Sequence, residues 1–272
     1  MRVWKIEILL ALSALAGCAG QEAKEATKDG ITERKGQVVW AEDASELAYS
    51  VITEEKQTTP EGEEKLNIRH QLFVQNPDGS QKREVSRARD HVSGALYYMK
   101  QAGYLVVESI LSTGARRFDR VLMNGNEILI IEASEKPRQA CPNVSLPQSV
   151  IPSPDGRVLA SIYSPDCGQV TVEFMYANNL SMIDAQTLDI AQAVMPIWHP
   201  DGSLILIAQD GSNAWKMVMK EAAKHIATPA CKSPATSSSN IAADGRVASF
   251  EDDTLQIKEG SKQAAFGCAQ SL

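Results

Sequence analysis

The strongest constraint on how this chain can fold is a turn that it writes three times. The stretch IPSPDGRVLASIY, from Ile151, returns as IWHPDGSLILIAQ from Ile197 and more loosely as IAADGRVASFED from Ile241. The turn aspartates Asp155, Asp201 and Asp244 are 46 and 43 residues apart. Proline presets the backbone of such a turn, aspartate bonds the local main chain, and the glycines, Gly156, Gly202 and Gly245, accept a positive φ that other residues resist. Apolar runs on both sides make each copy a strand, a turn and a strand. A unit of this kind recurring at this period is the signature of propeller blades, each a four-stranded sheet. The three aspartates therefore read as turn formers rather than as acid/base groups.

Extending each copy predicts the remaining strands. Blade three takes 148–152, 157–163, 170–183 with an irregularity at ANN, and 189–194. Blade four takes 195–199, 204–209, 215–220 and 224–228, and blade five takes 239–242, 246–251, 254–258 and 263–267. Upstream the turn decays while the layout persists. VVWAEDASELAYSVI from Val38 with HQLFVQNPDGSQKREV from His70 make one blade, and ALYYMKQAGYLVVES from Ala95 with DRVLMNGNEILII from Asp119 make another. Asn124-Gly125 is a strong hairpin turn. The expected fold class is all-β, a β-propeller of about five four-stranded blades, or six if 60–90 divides differently. A two-sheet sandwich is the competing architecture.

The first residues, MRVWKIEILLALSALAGCAG, carry Arg2 and Lys5 before a short apolar run that closes on small residues, the pattern of a secretory signal. The run is far below the roughly 20 residues that cross a bilayer. LAGC, ending at Cys18, resembles the bacterial lipobox, whose cysteine is lipidated and becomes the mature N-terminus. The resemblance implies 1–17 as signal peptide, anchoring at Cys18, and, with Ala19 rather than aspartate next, sorting to an outer membrane facing the periplasm. The polar, charge-mixed stretch that follows completes 18–36 as a tether, leaving 37–272 for the propeller. With 43% hydrophobic residues among 272, a substantial core is within reach. A net charge of -7 with no basic cluster excludes nucleic acid as partner.

SPDGRVLAS and HPDGSLILIA resemble the repeat of the TolB-like family of Tol-system propellers, shared with the WD-like propeller domains of prolyl-oligopeptidase-type enzymes. That resemblance implies a fold and leaves function open, since such repeats serve many roles.

Strand order sorts the connections. The A–B and C–D turns lie on one face, and the B–C and D–A connections on the other. Cys141, Cys167, Cys231 and Cys268 all fall on the second face, an even number suited to an oxidising compartment. Cys141 and Cys231 stand 14 and 13 residues before their turn aspartates. Of the three connectivities, the expected one pairs Cys141 with Cys167 and Cys231 with Cys268. The same face carries the stretches 53–65, 109–117 and 231–240, where binding would reside. Within them the acidic run Glu54, Glu55, Glu61, Glu63 and Glu64 stands against Arg116 and Arg117 on the next blade, candidate binding residues for a protein partner of complementary charge.

Catalytic signals are scarce. G-x-S-x-G does not occur, and His70, His91, His199 and His225 stand singly without metal-ligand spacing. DCGQ and DGSNAW lack a calcium-loop pattern. Neither a metal nor a cofactor is expected. Trp40 and Trp198, at matching strand-A positions, read as core or channel aromatics. The expected function is a non-enzymatic envelope scaffold binding a protein or peptide; the alternative is a small-molecule-binding or enzymatic propeller using the channel mouth.

Overall fold

In a computed structural model, residues 26–28, 31–58, 64–86, 92–111, 115–132, 149–163, 168–190, 194–199, 201–208, 210–227, 240, 242, 244–251 and 254–259 are described. Strand follows strand with no helix among them. The first sheet holds β1 (Ala26–Lys28), β2 (Ile31–Trp40), β3 (Leu47–Thr58), β4 (Glu64–Gln75) and β5 (Arg83–Glu84). The second holds β6 (Val92–Met99), β7 (Tyr104–Ile110), β8 (Arg116–Leu122) and β9 (Glu127–Glu132). The third is β10 (Ser149–Pro152), β11 (Val158–Tyr163), β12 (Gln169–Tyr176) and β13 (Met182–Asp189). The fourth is β14 (Val194–Trp198), β15 (Leu204–Ala208), β16 (Ala214–Met217) and β17 (Lys224–Ile226), and the fifth pairs β18 (Arg246–Glu251) with β19 (Thr254–Glu259).

Every sheet is an antiparallel meander in sequence order, so no blade borrows a strand from another among the described residues. The two faces of a strand feed two different interfaces, because side chains alternate. In β11, Leu159 joins Met99, Val106 and Phe118 of the second blade, while Ala160 and Ile162 join Leu204, Leu206 and Met217 of the fourth. Blades one and two share Val39, Leu72, Val74, Tyr98, Leu105 and Val107. Blade five returns to blade one, where Ala242 and Ala248 pack with Val38, Trp40, Leu47 and Tyr49. Blades stacked in this way make the fold a β-propeller. Strand B lies between neighbours on both faces, which explains why LILIA in β15 is buried throughout, whereas the outer strand β13 alternates. Pro196 is tolerated in β14 because that strand is the sheet's inner edge.

Three boundaries differ from the sequence reading. In blade three, strand C ends at Tyr176 and the ANN segment is the C–D turn, with strand D at Met182–Asp189 rather than 189–194. The chain reverses there without glycine or proline: Leu180 takes φ 56° and Asn179 Oδ1 accepts the Ser181 N–H. In blade one, β2 begins at Ile31 rather than at 37, so the end of the stretch expected as tether is strand. In blade five no strand is assigned at Asn240 or Ala242, although Ala248 N–H still reaches Asn240 O at 2.8 Å and Ala242 N–H reaches Arg246 O at 2.7 Å. The fourth strand expected at 263–267 lies outside the described residues, as does the signal segment.

Candidate functional site

The A–B turns are built alike. Asp155 Oδ1 accepts the Arg157 N–H at 3.1 Å, Asp201 Oδ1 the Ser203 N–H at 2.9 Å, and Asp244 Oδ1 the Arg246 N–H at 3.1 Å. Gly156, Gly202 and Gly245 stand at φ 67°, 84° and 93°. The A–B hairpin expected in blade one is present, and its turn proves to be the same one written with other residues. Asp43 Oδ1 accepts the Ser45 N–H at 3.0 Å, and Ala44 holds φ 57° where the other copies have glycine. Aligning EDAS with PDGS is the signal that would have exposed it.

These carboxylates are committed to structure. Asp201 is held well below the usual carboxylate range, first by Lys216 Nζ at 2.6 Å and then by Ser203 Oγ at 2.5 Å. Burial works against ionisation of Asp155, but hydrogen bonds from Ser153 Oγ and Arg157 N outweigh it and its pKa is lowered as well. A carboxylate fixed in the ionised form by its own turn is a poor proton donor or shuttle near neutral pH.

Ties between blades converge on this turn face. Glu42 accepts both the Lys100 and Gln101 N–H groups at 2.6 Å. The Tyr98 hydroxyl donates to Glu46 at 2.6 Å, and Lys100 Nζ reaches the same carboxylate at 2.9 Å. Tyr104 donates to Gly156 O at 2.9 Å, and burial first of all pushes its hydroxyl pKa up. Trp40 and Trp198 do equivalent work. Trp40 Nε1 donates to Asn240 O at 3.0 Å, Trp198 Nε1 to Ile151 O at 3.4 Å, and each acceptor stands four residues before its own turn aspartate. Trp198 thus bridges to β10 of the preceding blade, and Trp40 to the segment ahead of the blade-five turn.

The opposite face is shaped by blade one. The stretch 53–65, expected as a loop, is mostly ribbon: β3 and β4 pair continuously from Leu47↔Gln75 to Thr58↔Glu64. Glu54 and Glu55 lie on β3 and Glu64 on β4, while Glu61 and Glu63 lie outside the described residues. Arg116 and Arg117, likewise expected in a loop, open β8. Among the described residues, several of these groups find partners within their own sheet. Arg34 reaches Glu54 at 2.5 Å, Arg116 pairs with Glu108, and Arg117 forks onto Asp119 at 2.8–2.9 Å. The reason is register. Arg34 opposes Ile52 and Arg116 opposes Ile110, which puts each carboxylate on the same face as its arginine at the diagonal position. Cys18, Cys141, Cys167, Cys231 and Cys268 all lie outside the described residues. No group of three or more His, Cys, Asp or Glu among the described residues could hold a metal.

No protein family and no curated protein matches this chain in sequence. In fold it is similar to the β-propeller domain of the trilobed protease from Pyrococcus furiosus, at 10% identity over 71% of this chain and 57% of that one, TM-score 0.44. It is similar also to an acylaminoacyl peptidase of Pyrococcus horikoshii, at 10% identity over 71% of this chain and 32% of that one, TM-score 0.44. A third likeness is to a putative 6-phosphogluconolactonase of Bacteroides uniformis, at 15% identity over 74% of this chain and 57% of that one, TM-score 0.37. The chain spans little more than half of the longest match among these, and about a third of the peptidase.

Proposed function

We propose that this chain is a lipid-anchored, non-enzymatic β-propeller of a bacterial cell envelope, with a TolB-like repeat, that holds a protein or peptide partner on its B–C face. The observation that carries the reading is the ribbon of blade one. Strands β3 and β4 run 12 residues each, against 7, 6, 5 and 6 for strand B of the other four blades. At roughly 3.3 Å per residue, the ribbon stands about 17 Å or more beyond its neighbours. It presents Leu66, half exposed, and Ile31 among mixed charges. A stiff element raised above a ring that is tied together on its other face supplies a recognition surface at little ordering cost. The lipobox-like LAGC supports anchoring through Cys18 with two or more acyl chains.

The test uses the full chain in its own envelope. Removing residues 55–67 and closing the strands with Asn-Gly should abolish specific capture of partners from detergent-solubilised envelope while leaving the thermal transition cooperative. Identical partner lists with and without the ribbon would overturn the proposed face. Separately, Cys18→Ala should release the protein into the soluble fraction without the mass of a lipid, and unchanged membrane attachment would refute the anchor.

A further inference from the structure

Arg120, in the middle of β8, is 4% exposed. Along β8 its side chain shares a face with Phe118 and Leu122, and it stands opposite Val106 of β7. Phe118, Val106 and Leu122 belong to the layer between blades two and three, where Val150, Leu159 and Ala177 close the other side. The stem and Nε therefore lie along an apolar wall, with the terminal nitrogens open to solvent at its end. Its Nε meets no acceptor, and no carboxylate pairs with it among the described residues. Burial works against its charge, and among the described residues no counter-charge offsets this, the nearby Tyr104 hydroxyl being neutral. That hydroxyl is already committed to Gly156 O. The neighbouring arginines show what this strand does when an arginine serves structure alone, since Arg116 and Arg117 each hold a carboxylate of their own sheet.

An arginine stays charged at any ordinary pH, and a buried guanidinium N–H without an acceptor is costly until something completes it. We propose that Arg120 is the charged anchor of a site for a small carboxylate, which enters between blades two and three and is held by the guanidinium fork. Charge and shape both select that class. A planar carboxylate accepts two parallel N–H bonds from the fork. One cation neutralises a monoanion, whereas a dianionic phosphate would carry a second charge into walls of Val, Leu and Phe. The apolar walls suit a ligand with a short hydrocarbon body. The site is independent of the ribbon, so the two readings stand or fall separately.

Acetate is the probe. Wild type, Arg120→Met and Arg120→Lys are melted in sodium chloride, with acetate replacing chloride stepwise at constant ionic strength. The wild-type Tm should rise along a saturating curve, Arg120→Lys should respond more weakly because an ammonium lacks the fork, and Arg120→Met should not respond. A wild-type Tm that is the same in acetate and chloride, or an Arg120→Met protein that keeps the response, overturns the proposal. If the variants do not fold, the wild type labelled with nitrogen-15 decides. One arginine Nε–H resonance should move with saturation on adding acetate and stay still with chloride, and a spectrum in which none moves overturns the site.

Discussion

Gly156 and Gly202 occupy the same place in the same turn, yet replacing each by alanine should have unequal consequences. Both hold a positive φ, 67° and 84°, so both variants place a Cβ in the left-handed region. That costs about 1–2 kcal/mol, partly offset by about 0.4–1 kcal/mol because alanine restricts the unfolded chain. At Gly202 nothing lies within 4 Å of the new Cβ, so the net loss should be about 1 kcal/mol. At Gly156 the new Cβ would stand 2.7 Å from Ala102 Cβ on the neighbouring blade and 3.4 Å from Met99 Cε. Carbon atoms prefer roughly 3.5–4.0 Å, so the blades must part by about 1 Å. Overpacking of this kind adds about 1–3 kcal/mol. Gly156→Ala should therefore lose about 2–4 kcal/mol in urea or guanidinium unfolding with the slope unchanged. A gap of about 2 kcal/mol between the two variants is about 4–8 °C in Tm for a domain of this size. Adding Ala102→Gly to Gly156→Ala removes the opposing atom and should bring the loss back to that of Gly202→Ala. Equal losses for the two single variants, or no recovery in the double, would refute the inter-blade contact as the cause.

Trp40→Phe, which keeps an aromatic ring but deletes the bond to Asn240 O, should cost about 1–2 kcal/mol by chemical denaturation. Trp198→Phe should cost less, since its bond is 3.4 Å against 3.0 Å, and the reverse order would show that ring volume, not the indole N–H, decides. The low pKa of Asp201 fixes the sign of an acid effect. Its stabilising share is fully present above its ordinary value of 3.8 and is lost as pH falls through the lower value of the folded state. Acid unfolding below about pH 4 should accordingly be shallower in Asp201→Asn, with stability reduced at neutral pH; an acid limb of unchanged steepness would exclude Asp201 as a contributor.

The ring was legible in the sequence because its turns announce themselves through Pro, Asp and Gly at fixed spacing, and strands B and C follow from apolar runs. Reading failed where the same geometry was reached with other residues. Leu180 takes positive φ without glycine, which merged two strands of blade three, and Ala44 does so in the first A–B hairpin, whose place was read but whose likeness to the later turns was not. Thr-Thr-Pro-Glu-Gly-Glu-Glu has loop composition, yet the strands that flank it pair up to Thr58↔Glu64, because register carried up from the core outweighs weak local preference. The acidic and basic residues were recognised individually, but their partners depend on which face of a strand each occupies, and one step of register reverses that. Arg120 carries no signal at all in sequence. It stands beside two other arginines in RRFDR, and only the packing of blade three against β8 separates it from them.

Among the described residues the seam between the fifth and first blades is joined by side chains. Arg246 donates to Ala44 O at 2.8 Å and lies 4.6 Å from the Trp40 ring, while Tyr49 meets Phe250 edge-on at 5.0 Å. The chain itself crosses every other seam as it passes from blade to blade, whereas here such contacts alone join the described residues, so the ring has a built-in place to yield. Under pulling force or mild denaturant the circle should open there first, as a clasp does. Amides of β18 and β2 should then exchange with solvent before those of β7 or β11, while the remaining blades stay folded as an arc.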